Sequence, residues 1–128
     1  MMKKVKALGA DKDIIFLGEV TDFELSCLYS GATAFIFGSF SEGFGFPPLE
    51  AMASNCPVIS SSATAMSETV ADSGILVEPN NIAGFTEALH SLAISEELRH
   101  SLKEKGYNRA REFSWDKCAK EHLQVYYD

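Results

Sequence analysis

The chain has 128 residues, 46% hydrophobic and 23% charged, and carries a formal net charge of −7 at pH 7. This suits one globular unit with a sizeable core, and the sign of the charge argues against nucleic acid or an anionic membrane as main partner. No apolar run approaches the ~20 residues of a spanning helix, and Met1-Met2-Lys3-Lys4-Val5-Lys6 lacks the apolar core of a secretory leader.

Lys3 to Ala10 reads as a polar segment ending a helix and leading into the turn Asp11-Lys12-Asp13. Ile14–Leu17 is expected to be a buried strand, stopped by Gly18. Thr21-Asp22, with Glu24 behind them, cap a helix over Thr21–Ser30. Leu25, Leu28 and Tyr29 form its apolar face, and Cys27 is expected to be packed inside it. Three cysteines, Cys27, Cys56 and Cys118, are odd in number and lack metal-ligand spacing, so reduced thiols in a cytoplasmic protein are expected.

Ala34–Phe37, with its aromatic and β-branched residues, reads as a buried strand of a parallel sheet. A loop with Gly38, Gly43 and Gly45 follows, and Pro47-Pro48 then open a run of helix formers, Pro48–Ser54. Strand, glycine loop and helix N-terminus together offer backbone N–H groups and a positive dipole end to an anion. Glu42 and Glu50 bracket that turn with seven residues between them. A carboxylate accepts paired hydrogen bonds, the chemistry that holds vicinal hydroxyls. Phosphate on the N–H groups and hydroxyls on the carboxylates describe a nucleotide-sugar site. The plainer alternative is a proline-initiated helix whose Glu50 complements its dipole.

Val58–Ser60 forms the next strand, Ser61 to Ala65 a polar turn, and Met66 to Ala71 a short helix. Gly74–Val77 supplies a further strand, ended by Glu78-Pro79-Asn80-Asn81. From residue 82 to 128 the chain reads as wholly helical. Phe85, Leu89 and Leu92, then Leu98, Leu102 and Tyr107, supply the apolar stripes. Ser114 is the expected N-cap of a last helix carrying Ala119, Leu123, Val125 and Tyr126. His90, His100 and His122 are read as solvated surface residues. The run after Gly43-Phe44-Gly45 fits neither a dinucleotide fingerprint nor a P-loop, and neither a nucleophile elbow nor a paired-His metal motif occurs. No metal or other cofactor is expected.

The run SEGFGFPPLEAMASNCPVISS resembles the signature of retaining glycosyltransferases of family 4, which have the GT-B fold. Glu42 and Glu50 match the two glutamates of that signature, and Gly43, Phe44, Gly45 and Pro47 match its core. The resemblance implies that Glu42 meets the transferred sugar as the catalytic residue, positioning it without acting as nucleophile. It further implies that Glu50 holds the ribose and that Gly43, Phe44, Gly45 and Phe46 line the donor. FLGEV…D..EL..LYSGA also matches, which makes Gly18 and Val20 candidate base contacts, while Glu19 fits an ordinary turn. Asn55 stands where the family usually has Gly, and can take the same left-handed turn. Glu68 matches a family glutamate expected to fix its loop. Phe113-Ser114-Trp115 resembles the family's C-terminal end, where the last helix crosses toward the N-terminal domain.

By this resemblance the whole of 1–128 is an α/β, Rossmann-like partial domain: the C-terminal, donor-binding part of a GT-B enzyme. The basic Gly-Arg…Lys-Gly segment that clamps the diphosphate in the family has no counterpart here. Expected partners are a nucleotide-diphosphate sugar, a glycan or lipid-linked acceptor, and the N-terminal GT-B domain. The expected place is the cytoplasm, with membrane contact through that N-terminal domain. A non-catalytic nucleotide-sugar-binding or assembly module is the alternative. The family's strand order, 3-2-1-4-5-6, leaves Ile14–Leu17 without its usual neighbours. The expected repair slides it beside Ala34–Phe37, giving a four-stranded parallel sheet in sequence order. Helices Thr21–Ser30 and Pro48–Ser54 would share one face. The other face would be covered by the C-terminal helices or by a second copy.

Overall fold

Local capping chemistry sets most of the element boundaries in the computed structural model, which describes residues 2–127. The order is α1 (Met2–Ala7), α2 (Asp22–Gly31), β1 (Phe35–Phe37), α3 (Phe46–Ala53), β2 (Val58–Ser61) and α4 (Met66–Thr69). A 3₁₀ turn (Ala71–Ser73), β3 (Ile75–Val77), α5 (Ile82–Ile94), α6 (Glu96–Arg111) and α7 (Trp115–Tyr127) follow. At α2, the Thr21 hydroxyl accepts from the Glu24 N–H at 3.3 Å while the Glu24 carboxylate accepts from the Thr21 N–H at 2.8 Å, a reciprocal capping box. Asn81 caps α5 and Ser95 caps α6 through side-chain oxygens that accept from Gly84 and Leu98. Ser114 does the same for α7 by accepting from the Lys117 N–H.

Asn55 sits at φ 57° just beyond α3. With it in that conformation, the Cys56 N–H donates to Ala51 and the Asn55 N–H to Met52, which satisfies the last carbonyls of α3. The chain then turns directly into β2.

The sheet has three parallel strands in the order β1-β2-β3, with Phe35 opposite Val58 and Ile59 opposite Ile75. β2 is central and buried throughout. Its residues alternate between two cores, as strand geometry requires. Val58 packs with Tyr29, Leu49, Met52, Cys56 and Val70 under α2 and α3. Ile59 packs with Val77, Ala88, Leu92 and Leu102 under α5 and α6. So α2 and α3 share one face, while α5 and the start of α6 cover the other before α6 runs on to pack against α3.

Several expectations are corrected. Ile14–Leu17 is no strand: among the described residues it pairs with none, and Ile15 is 82% exposed. A left-handed turn at Gly18 and the capping box at Thr21 lay this segment against the flank of α2 instead of the β1 edge. β1 is therefore an edge strand, half-buried with Ile36 exposed, not the fully buried strand expected. Cys27 and Leu28 are exposed because α2 turns Leu25 and Tyr29 to the core and these two toward the flanking segment.

On α5 the buried stripe is Phe85, Ala88 and Leu92, so Leu89 falls on its exposed flank. On α6 the buried position belongs to Gly106 rather than Tyr107. A Cβ at Gly106 would lie 3.1 Å from Cγ of fully buried Met52, so the glycine lets α6 approach α3 closely. Tyr107, one residue round the helix, faces outward beneath the Arg111 guanidinium. No residue of α7 is buried, and Leu123, Val125 and Tyr126 all stand in solvent.

Candidate functional site

The segment between β1 and α3 carries the sequence motif, and the segment between β2 and the 3₁₀ turn holds it in place. Four hydroxyls along β2 and the second segment donate to carbonyls along the end of β1 and the first segment. Ser60 donates to Phe37 at 3.3 Å and Ser61 to Ser39. Thr64 donates to Glu42 at 3.0 Å and Thr69 to Phe44 at 2.6 Å. Serines 60 and 61 are fully buried, and these bonds are what makes a polar pair tolerable at the end of a central strand. Gly45, at φ 93°, is the left-handed N-cap of α3 and rests on the fully buried Met66 side chain.

The carbonyls being engaged, the N–H groups on the same loop are free. Among the described residues, the N–H groups of Gly43, Phe44, Gly45 and Phe46 donate to no protein acceptor. Phe46 is the first residue of α3, so its N–H lies at the positive end of the helix dipole. Pro47 and Pro48 come next and contribute no donor. The unpaired donors at this helix end therefore lie on Gly43, Phe44 and Gly45 of the loop and on Phe46, the first helical residue.

Glu42 is half-buried at the start of that loop, and Glu50 is exposed in the fifth position of α3. Glu50 lies on the side of α3 that faces α2. Burial pushes the Tyr29 phenol of α2 upward in pKa, and the Glu50 carboxylate adds to that shift. Four aromatic rings cluster at the loop. Phe44 and Phe46 lie 4.9 Å apart, Phe113 meets Phe44 edge-on at 5.6 Å, and Trp115 stacks on Phe46 at 5.9 Å. Phe113-Ser114-Trp115 therefore packs directly against the motif loop.

Arg109 ties the supporting segment to α6. Its guanidinium donates to the carbonyls of Thr69 at 3.2 Å and Glu68 at 2.6 Å, pairs with Glu112, and lies 4.8 Å from the Phe113 ring centroid. The Glu68 side chain is exposed and its backbone carbonyl does the tethering. The expected loop-fixing role of that carboxylate is thus taken by Thr64, Thr69 and Arg109. None of these three was singled out from sequence. The available signal was the hydroxyl-rich run Ser60-Ser61-Ser62-Ala63-Thr64, which is unusual directly after a buried strand.

Gly18 and Val20 lie apart from this loop. Gly18 is exposed at φ 71°. Val20 lines an open groove of about 690 Å³ with Leu17, Phe23, Cys27 and Leu28 along α2. The structure thus groups Glu42, Gly43, Phe44, Gly45, Phe46 and Glu50 on one loop and helix, with Val20 in the groove along α2. Among the described residues no cluster of three His, Cys, Asp or Glu side chains is arranged to hold a metal ion. No helix among the described residues is long and apolar enough to cross a membrane.

Comparison with known proteins gives the family and the fold. The family model described as glycosyl transferases group 1 matches residues 1–109. O-antigen chain mannosyltransferase B of Escherichia coli is 34% identical over 113 residues, 88% of this chain and 30% of the relative. O-antigen chain mannosyltransferase RfbU of Salmonella typhimurium is 40% identical over 92 residues, 72% of this chain and 26% of the relative. This chain thus spans about a third or less of the length of these curated relatives.

Among solved structures, sucrose-phosphate synthase from Thermosynechococcus elongatus superposes with a TM-score of 0.89 at 26% identity, over 98% of this chain and 32% of that one. The C-terminal domain of a group 1 glycosyl transferase, LpcC, from Francisella tularensis gives 0.76 at 37% identity, over 87% of this chain and 58% of that one. The parallel sheet with flanking helices is therefore the C-terminal part of a GT-B architecture, and the chain belongs to the group 1 glycosyltransferases.

Proposed function

We propose that this chain supplies the donor-binding side of a glycosyltransferase that moves a hexose, mannose being the first candidate, from a nucleotide-diphosphate sugar with retention at the anomeric carbon. The observation that carries the reading is the run of four N–H groups, Gly43 to Phe46, without an acceptor among the described residues and bracketed by Glu42 and Glu50. Such a loop meets the diphosphate and the sugar edge with donors, and its ends meet hydroxyls with acceptors. Glu42 positions the sugar and offsets the positive charge that develops as the diphosphate departs. Glu50 holds the ribose, and Val20 with Gly18 takes the base. Mannose is favoured because two of the relatives are named mannosyltransferases of O-antigen chains, which also suggests a surface polysaccharide or lipid-linked glycan as acceptor.

In this reading the acceptor belongs to an N-terminal GT-B domain and the diphosphate clamp to an earlier segment of the donor-binding domain, and the assembly works in the cytoplasm, at the membrane where its acceptor requires it. The chain alone is expected to transfer no sugar. It should bind nucleotide no more tightly than about millimolar, since one helix terminus contributes only ~1 kcal/mol toward an anion. Titration of the isotope-labelled chain with GDP-mannose, followed by NMR, tests this. Weak, saturable shifts confined to residues 42–46, Glu50 and Val20 are expected, and Glu42→Ala should abolish the sugar-dependent part. Shifts elsewhere only, or micromolar affinity, would overturn the reading.

A further inference from the structure

Thr64 differs from the other three hydroxyl residues that hold the motif loop. Ser60, Ser61 and Thr69 each donate to one carbonyl. The Thr64 hydroxyl donates to the Glu42 carbonyl at 3.0 Å and also accepts from the Glu42 N–H at 3.0 Å. Those two groups belong to the peptide planes on either side of the Glu42 Cα. One oxygen therefore fixes both backbone torsions of Glu42, and with them the direction in which its side chain leaves the backbone.

Thr64 reaches this position at φ 47°, in the left-handed region. A β-branched residue is rare there and its backbone is strained. Glycine or asparagine would adopt the same turn more readily but could not present a hydroxyl at that point. Residues are kept in strained conformations where the surroundings over-determine them, and functional sites are where such strain gathers.

We propose that Thr64 is the positioning residue for Glu42: its left-handed backbone is retained because it delivers one hydroxyl to both peptide groups of the residue that meets the transferred sugar. The sugar-facing role of Glu42 rests on the function proposed above; the positioning itself does not depend on it. Three variants of the full chain separate positioning from general stability. Thr64→Val keeps the branched shape and removes the hydroxyl, Thr64→Ser keeps the hydroxyl, and Thr64→Gly removes both hydroxyl and strain.

The readouts are the amide exchange rate at Glu42, measured by NMR, and the urea midpoint. Loss of the bond to the Glu42 N–H should speed its exchange roughly tenfold in Thr64→Val and Thr64→Gly, and Thr64→Ser should return it to within about twofold of the parent. Thr64→Gly should show this faster exchange with a urea midpoint equal to or above the parent's, a combination that a merely structural role would not produce. Unchanged Glu42 exchange in Thr64→Val and Thr64→Gly overturns the proposal. So does a serine variant that behaves like valine, or exchange that rises uniformly along the chain in step with lost stability. The GDP-mannose titration of the unaltered chain is read separately, so failure of the donor reading and failure of the positioning role are distinct results.

Discussion

Gly45 and Met66 meet so closely that a Cβ on the glycine would lie 2.1 Å from Cε of the methionine and 3.0 Å from its sulfur. Met66 is fully buried, so the end of its side chain would have to shift within a packed core, and Gly45 sits at φ 93°. Gly45→Ala should therefore destabilise the fold by roughly 2–4 kcal/mol, from left-handed strain and overpacking together. Gly43→Ala, whose added methyl meets nothing within 4 Å, should stay within about 0.5 kcal/mol. Urea unfolding of the two variants side by side checks the contrast.

Arg109 should matter for stability through the carbonyls it serves more than through its ion pair. Arg109→Ala leaves the carbonyls of Glu68 and Thr69 without their donor and should cost about 1–3 kcal/mol. Arg109→Lys should recover less than half of that, since an ammonium does not present the guanidinium's fork. Glu112→Gln, at an exposed partner, should change stability by under about 0.5 kcal/mol. Denaturant midpoints with unchanged slopes are the expected signature.

Alkaline pH should weaken the core beneath α2 and α3. Burial raises the pKa of Tyr29, with the Glu50 carboxylate adding to the effect, and burial raises that of Cys56. For both groups the folded state favours the protonated form. Their contribution is whole below the ordinary values of about 8.5 for Cys and 10 for Tyr, and is lost as pH rises through the raised ones. The urea midpoint should fall from about pH 8.5 upward. Cys56→Ala should flatten the lower part of that fall and Tyr29→Phe the upper part. A midpoint constant to pH 11 would contradict this.

The open edge of β1 should support self-association. Its Ile36 is 45% exposed, and among the described residues no strand pairs with its outer side. Unpaired backbone groups with apolar side chains form a template for a second strand. Sedimentation of the isolated chain should show a concentration-dependent dimer, and Ile36→Lys should return it to monomer. A strict monomer at high concentration would sink this expectation.

What the sequence showed and what it hid divides by distance along the chain. The capping box at Thr21, the left-handed turn at Asn55 and the N-cap at Ser114 involve neighbours within a few residues, so propensity and side-chain chemistry revealed them. The motif loop was legible for the same reason. Its supports were not: Thr64 reaches back 22 residues, Thr69 reaches 25, and Arg109 reaches 40. Nothing in local pattern identifies such a partner. Ile14–Leu17 misled for a related reason. Four apolar residues favour an extended backbone, but a strand also needs a neighbour, and among the described residues none is within pairing reach. Tyr107 and Leu89 misled more simply, since one residue on a helix is a rotation of about 100° and turns a core position into a flank.

The last helix works as a lever arm. Its 13 residues span roughly 20 Å, and no residue along it is buried. At its base, Trp115 stacks on Phe46, the first residue of α3. A load applied at Tyr126 would therefore be felt beside the glycine loop, through the Trp115–Phe46 stack, at a distance from where it was applied.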